Sequence, residues 1–242
     1  MNIKNATALI TGANRGLGRA FAQRLLDRGA SKVYATARRP ESIDLPDVET
    51  LPLDVTDPAS VRNAAETAQD VSLLVNNAGI QTTTDLVSGS FDALRQELDT
   101  NLLGQLRMIR SFAPVLRTNG GGAIVNVLSA MSWFPVNGSN SYHLTKGAAW
   151  AMTNGVRMEL ADHGTLVTAV HLGLADTDMT SGWDVPKLMP VQLVDAALDG
   201  VEGGAAEVLA DDWSRGVKER LSLPPEEFNA AMDRAFATLT TS

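Results

Sequence analysis

The chain has 242 residues, of which 44% are hydrophobic and 20% are charged, a composition that indicates a folded globular protein and argues against disorder. Its 20 basic and 28 acidic residues give a formal net charge of −8, so the average surface repels nucleic acid and anionic membranes. The absence of cysteine excludes disulfides, thiolate nucleophiles, iron–sulfur clusters and Cys-containing zinc sites.

The amino-terminal segment and the hydropathy pattern predict a cytoplasmic protein. Residues 1–10 lack the apolar region and the small-residue cleavage site that a signal peptide carries. No uninterrupted apolar stretch approaches the roughly 18 residues that a membrane span requires. We therefore expect neither a membrane nor a nucleic acid among the partners of this protein.

Short apolar runs alternate along the chain with longer segments of helical periodicity, which indicates βαβ units and a parallel sheet. The predicted strands are residues 7–10, 33–37, 48–53, 73–75, 123–128, 166–171 and 207–209. The predicted helices are residues 17–28, 58–68, 91–117, 141–162, 191–201 and 225–239. No linker or repeat divides the sequence. We therefore predict one α/β domain over residues 1–242, a Rossmann-type doubly wound parallel sheet of about seven strands with ligands at the strands' carboxyl ends.

A glycine-rich turn, Thr11–Gly18, follows the first predicted strand and opens the first predicted helix. Glycine lets the backbone approach a diphosphate, and the start of a helix offers unpaired N–H donors. The spacing Gly-x-x-x-Gly-x-Gly is a variant of the dinucleotide fingerprint, although a turn that serves only packing can share it. The expected cofactor contacts in this turn are Gly12, Asn14, Arg15, Gly16, Leu17 and Gly18.

Two arginines at the end of the second predicted strand bear on the choice of cofactor. Many dinucleotide folds place a carboxylate there to hold the ribose hydroxyls of NAD, whereas this chain has Arg38 and Arg39. Guanidinium groups favour the additional 2′-phosphate of NADP, and Arg15 would supply a third positive charge. The alternative is that Arg38 and Arg39 are solvated loop charges. The pattern predicts NADP as cofactor rather than NAD.

Three polar residues have a spacing that suits proton transfer. Ser129 ends the fifth predicted strand, and Tyr142 and Lys146 lie one helical turn apart on the same helix face. A neighbouring ammonium favours a phenolate, so we expect the pKa of Tyr142 to lie below its usual value of about 10. Ser129 would then bond the same substrate oxygen. A Tyr-x-x-x-Lys pair by itself is usually only a helix surface, so the combination with the glycine turn is decisive.

With these motifs the sequence closely resembles the short-chain dehydrogenase/reductase family over essentially its whole length. The resemblance implies an NAD(P)-dependent oxidoreductase with Tyr142 as general acid/base and Ser129 positioning the substrate oxygen. It also implies that Lys146 binds the nicotinamide ribose and that Asn101 helps to order a proton relay. The remaining cofactor positions that it implies are Asp54, Val55, Asn77, Ala78, Gly79, Gly173 and Thr177. Asn76 belongs to the same motif as Asn77, after the fourth predicted strand.

Three departures from the family pattern put the shape of the substrate pocket in doubt. Leu172 stands where the family commonly has proline, and Leu128 stands where a small residue is usual. Residues 143–145, between the tyrosine and the lysine, are larger than is common. None of these departures removes a catalytic group.

The substrate side is predicted less sharply than the cofactor side. Residues 174–191 fit neither helical nor strand periodicity, so they are predicted to form a substrate loop, with a surface segment anchored by a few apolar residues as the alternative. Trp133, Phe134, Met179, Trp183 and Met189 suggest an apolar substrate, with core packing as the alternative. The expected substrate contacts are Ser129, Tyr142, Trp133 and Trp183.

The main functional hypothesis is an NADPH-dependent reductase that interconverts a small-molecule ketone or aldehyde with an alcohol. A non-enzymatic NADP(H) sensor on the same fold is the alternative, although the chain retains four catalytic residues that argue against it, Asn101, Ser129, Tyr142 and Lys146. A serine hydrolase is excluded because the chain has no Gly-x-Ser-x-Gly elbow. The three histidines lack metal-ligand spacing, so no metal is expected. The family resemblance implies a homodimer or homotetramer.

Overall fold

The computed structural model describes residues 1–240 and contains one seven-stranded parallel sheet. The strands lie in the order β3-β2-β1-β4-β5-β6-β7. From β1 the chain adds β2 and β3 on one side of the sheet and then adds β4 to β7 on the other side, with all strands parallel. The predicted Rossmann-type α/β fold is confirmed. The strands are β1 Thr7–Thr11, β2 Lys32–Ala37, β3 Glu49–Pro52, β4 Leu73–Asn76, β5 Gly122–Val127, β6 Thr165–His171 and β7 Glu207–Leu209.

The helices largely follow the predicted segments but differ at two places. The predicted helix 91–117 is interrupted by a π-helical segment, Asp99–Gly104, and residues 212–219 form a helix that the sequence analysis missed. Single-turn π segments are frequent at functional sites because they redirect side chains within a helix. The helices are α1 Gly16–Asp27, α2 Pro58–Thr67, α3 Phe91–Leu98, α4 Gln105–Thr118, α5 Asn140–Glu159, α6 Pro190–Glu202, α7 Asp212–Glu219 and α8 Pro225–Thr240.

Apolar side chains fill a core on each face of the sheet. Successive residues of a strand point to opposite faces, so Leu9 and Ile10 of β1 enter different cores. Ile10 packs in the core that contains Phe21 of α1, whereas Leu9 packs in the core that contains Phe112 of α4. Burying a side chain such as Phe112 stabilises the folded state by about 1.5–3 kcal/mol. The two cores therefore hold the sheet in place, and with it the carboxyl ends of its strands.

A capping side chain begins one helix, and glycines end another. Asp57 accepts hydrogen bonds from the N–H groups of Ala59 and Ser60, which begins α2. Gly120 and Gly121 follow α4 with φ of 86° and 102°, a conformation that glycine adopts without steric cost. No helix within residues 1–240 is both long enough and apolar enough to cross a membrane.

Candidate active site

A cavity of about 710 Å³ opens where the carboxyl ends of β1, β2, β3, β4, β5 and β6 meet. The structure brings most of the predicted site residues to its wall. Among the predicted residues, Gly18, Asn101 and Trp133 do not line it. Those that line it are Gly12, Asn14, Arg15, Gly16, Leu17, Arg38, Arg39, Asp54, Val55, Asn77, Ala78, Gly79, Ser129, Tyr142, Lys146, Gly173, Thr177 and Trp183.

The glycine turn has the backbone that a phosphate site requires. Gly12 and Gly16 have φ of 68° and 54°, and no side chain caps the first turn of α1 within the described residues. The free N–H groups and the positive end of the helix dipole therefore face the cavity mouth. Gly18 has a packing role instead, because a Cβ atom there would lie 2.1 Å from the carbonyl oxygen of Gly12.

The turn after β4 is fixed to the glycine turn by side-chain hydrogen bonds. Asn77 donates through Nδ2 to the carbonyl oxygens of Thr11 and Gly12, at 2.9 and 3.2 Å. The N–H groups of Asn77 and Ala78 both donate to the Thr11 hydroxyl, each at 2.9 Å. These bonds hold the two strand ends together and preorganise the cleft between them. A dinucleotide fits this cleft, because the uncapped N–H groups at the start of α1 would hold its phosphates.

Charged groups lie at the end of the cavity beside β2 and β3. Arg38 and Arg39 are exposed and line the cavity. Burial raises the pKa of Asp54, but hydrogen bonds from the Thr56 hydroxyl and N–H, together with the nearby Arg38, outweigh it and leave that pKa lowered. Arg15 is paired with Asp178 of the 174–191 segment at 2.8 Å. Both side chains are exposed, so this pair is weak.

Ser129, Tyr142 and Lys146 meet at the opposite end of the cavity. Ser129 follows β5, and its hydroxyl accepts a hydrogen bond from the N–H of Met131 at 3.1 Å. Tyr142 lies in the first turn of α5, and the Lys146 ammonium lies 5.5 Å from the centre of its ring. The Lys146 ammonium donates a hydrogen bond to the carbonyl oxygen of Val127 at 2.9 Å, which holds it at the end of β5.

The protonation of this cluster corrects one expectation from the sequence. Burial raises the pKa of Tyr142 above its ordinary value, and the charge of Glu97 raises it further, although a hydrogen bond with Ser129 opposes the shift. Burial also lowers the pKa of Lys146 to about 8. The prediction that the lysine lowers the pKa of Tyr142 is therefore wrong for this structure, because burial disfavours both charged forms.

Asn101 lies behind the cavity wall. It is fully buried in the π-helical segment, accepts a hydrogen bond from the N–H of Ile80 at 2.8 Å, and donates to the carbonyl oxygen of Ile80 at 2.9 Å. It also donates to the Thr145 hydroxyl at 3.1 Å, which in turn donates to the carbonyl oxygen of Tyr142 at 2.8 Å. Asn101 thus connects the loop after β4 with the helix that carries Tyr142.

The structure removes Trp133 from the predicted substrate contacts. Its ring is buried, stacks on His171 with centroids 3.8 Å apart, and contacts Trp150 edge-on at 6.1 Å. Core packing is therefore the role of Trp133. Met189 is 56% exposed and does not line the cavity either, whereas Phe134, Met179 and Trp183 do.

Part of the substrate end comes from α7, which the sequence analysis missed. Trp213 lines the cavity and contacts Phe134 edge-on, with centroids 5.7 Å apart. Asp211 caps α7 by accepting from the N–H of Ser214, and its other oxygen accepts from the N–H of Gly173 at 2.6 Å. The pattern Asp-x-x-Ser at 211–214 is a helix-start signal that could have revealed this element.

The segment at 174–191 lies against the same end of the cavity. It is held at its base by a parallel bridge between Ala175 and Leu188 and contains a short 3₁₀ turn, Asp178–Thr180. Leu174, Met179 and Trp183 of this segment line the cavity. In the described part of the chain, no group of three or more His, Asp or Glu side chains is arranged to hold a metal ion.

Comparison with known proteins gives the family. The model of the short chain dehydrogenase family matches residues 6–186. The chain belongs to the short-chain dehydrogenase/reductase family. It is therefore an oxidoreductase of a family whose members bind nicotinamide cofactors.

Three relatives of this short-chain dehydrogenase share most of its length. A structure of a short chain dehydrogenase from Burkholderia cenocepacia in complex with NADP is 38% identical, has a TM-score of 0.91, and is matched over 96% of this chain and 98% of that chain. The structure of 3-ketoacyl-(acyl-carrier-protein) reductase from Brucella melitensis complexed with NADH is 25% identical, with a TM-score of 0.78 and coverage of 85% and 96%. The 3-oxoacyl-[acyl-carrier-protein] reductase of Vibrio harveyi is 31% identical over 74% of this chain and 78% of its own length.

Proposed function

We propose that this oxidoreductase is an NADPH-dependent reductase that converts a ketone or an aldehyde into an alcohol. The observation that carries the proposal is the meeting of Ser129, Tyr142 and Lys146 in one cavity with the glycine turn. NADPH, held by the glycine turn and the strand ends, would supply a hydride to the carbonyl carbon. Tyr142 donates the proton that completes the alcohol, so the product gains one hydride and one proton.

Protonated Tyr142 suits the reductive direction. A phenol carries its proton at neutral pH, and burial moves the pKa of Tyr142 further from neutrality, so Tyr142 has a proton to donate as charge builds on the substrate oxygen. We propose that Ser129 hydrogen-bonds that oxygen and that Lys146 holds the nicotinamide ribose. Asn101 is proposed to help order a proton relay behind them, in keeping with its bond to Thr145 at 3.1 Å.

The preference for NADP over NAD rests on the charges beside β2 and β3. Arg38 and Arg39 are exposed at the cavity wall, where a 2′-phosphate would bring two negative charges. The NADP complex of the Burkholderia cenocepacia relative supports this choice, whereas the Brucella melitensis relative was solved with NADH. The glycine turn, Asp54 to Val55 and Asn77 to Gly79 would hold the rest of the dinucleotide, with Gly173 and Thr177 near the carboxamide.

The proposed substrate is apolar, because apolar and aromatic side chains form the cavity wall beyond Tyr142. Aromatic side chains bury a large area and hold apolar ligands without needing a charged partner. The 174–191 segment is proposed as the substrate loop of the single domain, and Trp183 is retained as a substrate contact. The side chains that form this wall are Met131, Phe134, Val136, Leu174, Met179, Trp183 and Trp213.

Replacement of Tyr142 tests the proposed reaction. In a panel of ketones and aldehydes, Tyr142→Phe should lower the rate of NADPH oxidation by about 10²- to 10⁴-fold, because the proton donor is lost. Binding of NADPH, followed by fluorescence titration, should stay unchanged. The matched control is Tyr34→Phe, since Tyr34 is the other of the two tyrosines and lies outside the cavity wall. Full turnover by Tyr142→Phe would refute the assigned role.

The same assay separates the enzyme from the sensor alternative. A protein that binds NADPH tightly but turns over no carbonyl and no alcohol, even without substitution, would be a sensor. We also propose that the protein is a cytoplasmic homo-oligomer. This proposal rests on the resemblance to the family, whose members are usually dimers or tetramers. Light scattering on the purified protein would give the number of copies.

A further inference from the structure

Ser129 begins a tight turn at the end of β5. We call residues 129–133 the serine turn, and its middle is a short 3₁₀ helix. Within it, the N–H of Ser132 donates to the carbonyl oxygen of Ser129 at 2.9 Å, and the N–H of Met131 donates to the Ser129 hydroxyl at 3.1 Å. The position of that hydroxyl therefore depends on the position of the whole turn.

A buried histidine outside the turn holds its first carbonyl group. His171 ends β6, has no exposed surface, and places Nδ1 3.0 Å from the carbonyl oxygen of Ser129. A carbonyl oxygen can only accept, so Nδ1 carries the hydrogen of this bond. Burial lowers the pKa of His171 to about 4, so the ring is neutral at neutral pH. The contact with Ser129 therefore specifies the neutral imidazole with its hydrogen on Nδ1.

The other sides of the His171 ring are also in contact. The ring stacks on Trp133, the last residue of the serine turn, with centroids 3.8 Å apart and planes 20° apart. Its Nε2 lies 3.7 Å from Oε1 of Glu207. The Lys218 ammonium bonds both oxygens of Glu207, at 3.0 and 2.9 Å, and so neutralises the charge that would otherwise attract a proton to Nε2. His171 thus contacts both ends of the serine turn and is itself held in one orientation.

A second histidine holds the middle of the serine turn. His143 directly follows Tyr142 in α5, and its Nδ1 lies 2.6 Å from the carbonyl oxygen of Met131. The N–H of the same Met131 bonds the Ser129 hydroxyl. His143 therefore joins the helix that carries Tyr142 to the residue that orients the serine. It belongs to residues 143–145, where this chain departs from the family pattern.

We propose that His171 and His143 are positioning residues, which hold the serine turn so that the Ser129 hydroxyl and the Tyr142 phenol face the same substrate oxygen. This inference rests on the proposed roles of Ser129 and Tyr142. Within residues 1–240, the cavity wall includes neither histidine, so each acts through a backbone carbonyl group of the turn. A displacement of about 1 Å in a reacting group can lower a rate by about 10²-fold, so a small movement of the turn is costly.

Two substitutions of His171 separate its hydrogen bond from its packing. His171→Asn keeps an N–H donor, because its amide nitrogen is attached to Cγ as Nδ1 is, but loses the ring. His171→Leu loses the donor and keeps an apolar side chain. His171→Leu should lower kcat for a carbonyl by about 10- to 100-fold and leave NADPH binding unchanged, whereas His171→Asn should stay within about threefold of the parent. Equal losses of kcat in the two variants would overturn the proposal.

The chain offers a matched control and an independent variant. His163 is exposed in the turn after α5, so His163→Leu should leave kcat unchanged. His143 is only half-buried, so His143→Leu covers the case in which His171→Leu does not fold. It removes the bond to Met131 and should lower kcat by about 10-fold, and His143→Asn should restore most of the loss. Full kcat in His143→Leu would contradict the role of His143.

A double-mutant cycle with Ser129→Ala shows whether His171 acts through the serine. If it does, His171→Leu should lower the remaining kcat of Ser129→Ala by less than about twofold, because the hydroxyl that it positions is already gone. A purely structural histidine would cause the same loss in both backgrounds. That result would overturn the proposal, even with a lower kcat in His171→Leu alone.

A measurement without turnover tests the contact itself. The chain has three histidines, so nitrogen NMR signals of the rings can be assigned from the signals that His171→Asn and His143→Asn remove. The predicted spectrum has a hydrogen on Nδ1 of His171, and a ring without that hydrogen would overturn the proposal. Because the spectrum needs no substrate, a protein that reduces no carbonyl would refute the proposed function while the contact with Ser129 is still decided.

Discussion

The two ends of the cavity are built in different ways. The cofactor end consists of short segments that directly follow β1, β2, β3 and β4, and hydrogen bonds from the Asn77 side chain to the carbonyl oxygens of Thr11 and Gly12 hold two of these segments together. The substrate end combines the 174–191 segment, the start of α7 and side chains after β5. The first end is determined by local sequence, whereas the second depends on tertiary packing between distant segments.

This contrast has a physical consequence for variation. The glycine turn does not tolerate a side chain at every position, because a Cβ atom added to Gly18 would lie 2.1 Å from the carbonyl oxygen of Gly12. A site lined by side chains changes its shape with each substitution. We therefore expect the cofactor to be set by a few charges at one end and the substrate by the volume of aromatic groups at the other.

Of the substitutions that compare the two ends of the cavity, the one expected to have the larger effect reverses one charge at the cofactor end. Arg38→Asp should reduce the preference for NADPH over NADH by about 10- to 100-fold, because a charged hydrogen bond contributes about 1.5–3 kcal/mol. The measurement is the ratio of kcat/KM for the two cofactors. Arg62→Asp, an exposed change on α2 away from the cavity, is the matched control. An unchanged ratio would show that the 2′-phosphate is held elsewhere.

A smaller effect is expected at the substrate end, where Trp213 lines the cavity and the buried Trp133 does not. Trp213→Ala should raise KM for an apolar carbonyl by about 10-fold without changing NADPH binding, because it removes part of the cavity wall. Trp133→Phe should change KM by less than about twofold, since Trp133 packs in the core. If Trp133→Phe raised KM as much as Trp213→Ala, the placement of Trp133 would be wrong.

The sequence was sufficient to predict the strands of the sheet, because they are short apolar runs with clear turn signals between them. All seven strands were predicted within two residues of their observed ends, as for β4 at Leu73–Asn76. Helix 91–117 could not be resolved further, because the π-helical turn at Asp99–Gly104 keeps the apolar pattern while it rotates Asn101 inward. Helix α7 was missed because its eight residues include Asp212, Ser214 and Gly216, which are poor helix formers.

For the site, motif residues were predictable and their environments were not. The order of motifs along the chain brought the glycine turn and Tyr142 to one cavity, as the topology of a parallel sheet requires. The protonation of Tyr142 depends on burial and on Glu97, which lies 45 residues earlier and carries no motif. Likewise, only packing distinguishes buried Trp133 from the cavity residue Trp213.

The most direct test of the proposed reaction is to follow the transferred hydrogen. NADPH with deuterium in place of both hydrogens of the reactive ring carbon would be supplied with an apolar ketone, and the alcohol would be analysed by mass spectrometry. The predicted result is an alcohol with deuterium at the former carbonyl carbon, formed by the unaltered protein and far more slowly by Tyr142→Phe. An alcohol without the label, or label transfer at equal rates by both proteins, would contradict hydride transfer with Tyr142 as the proton donor.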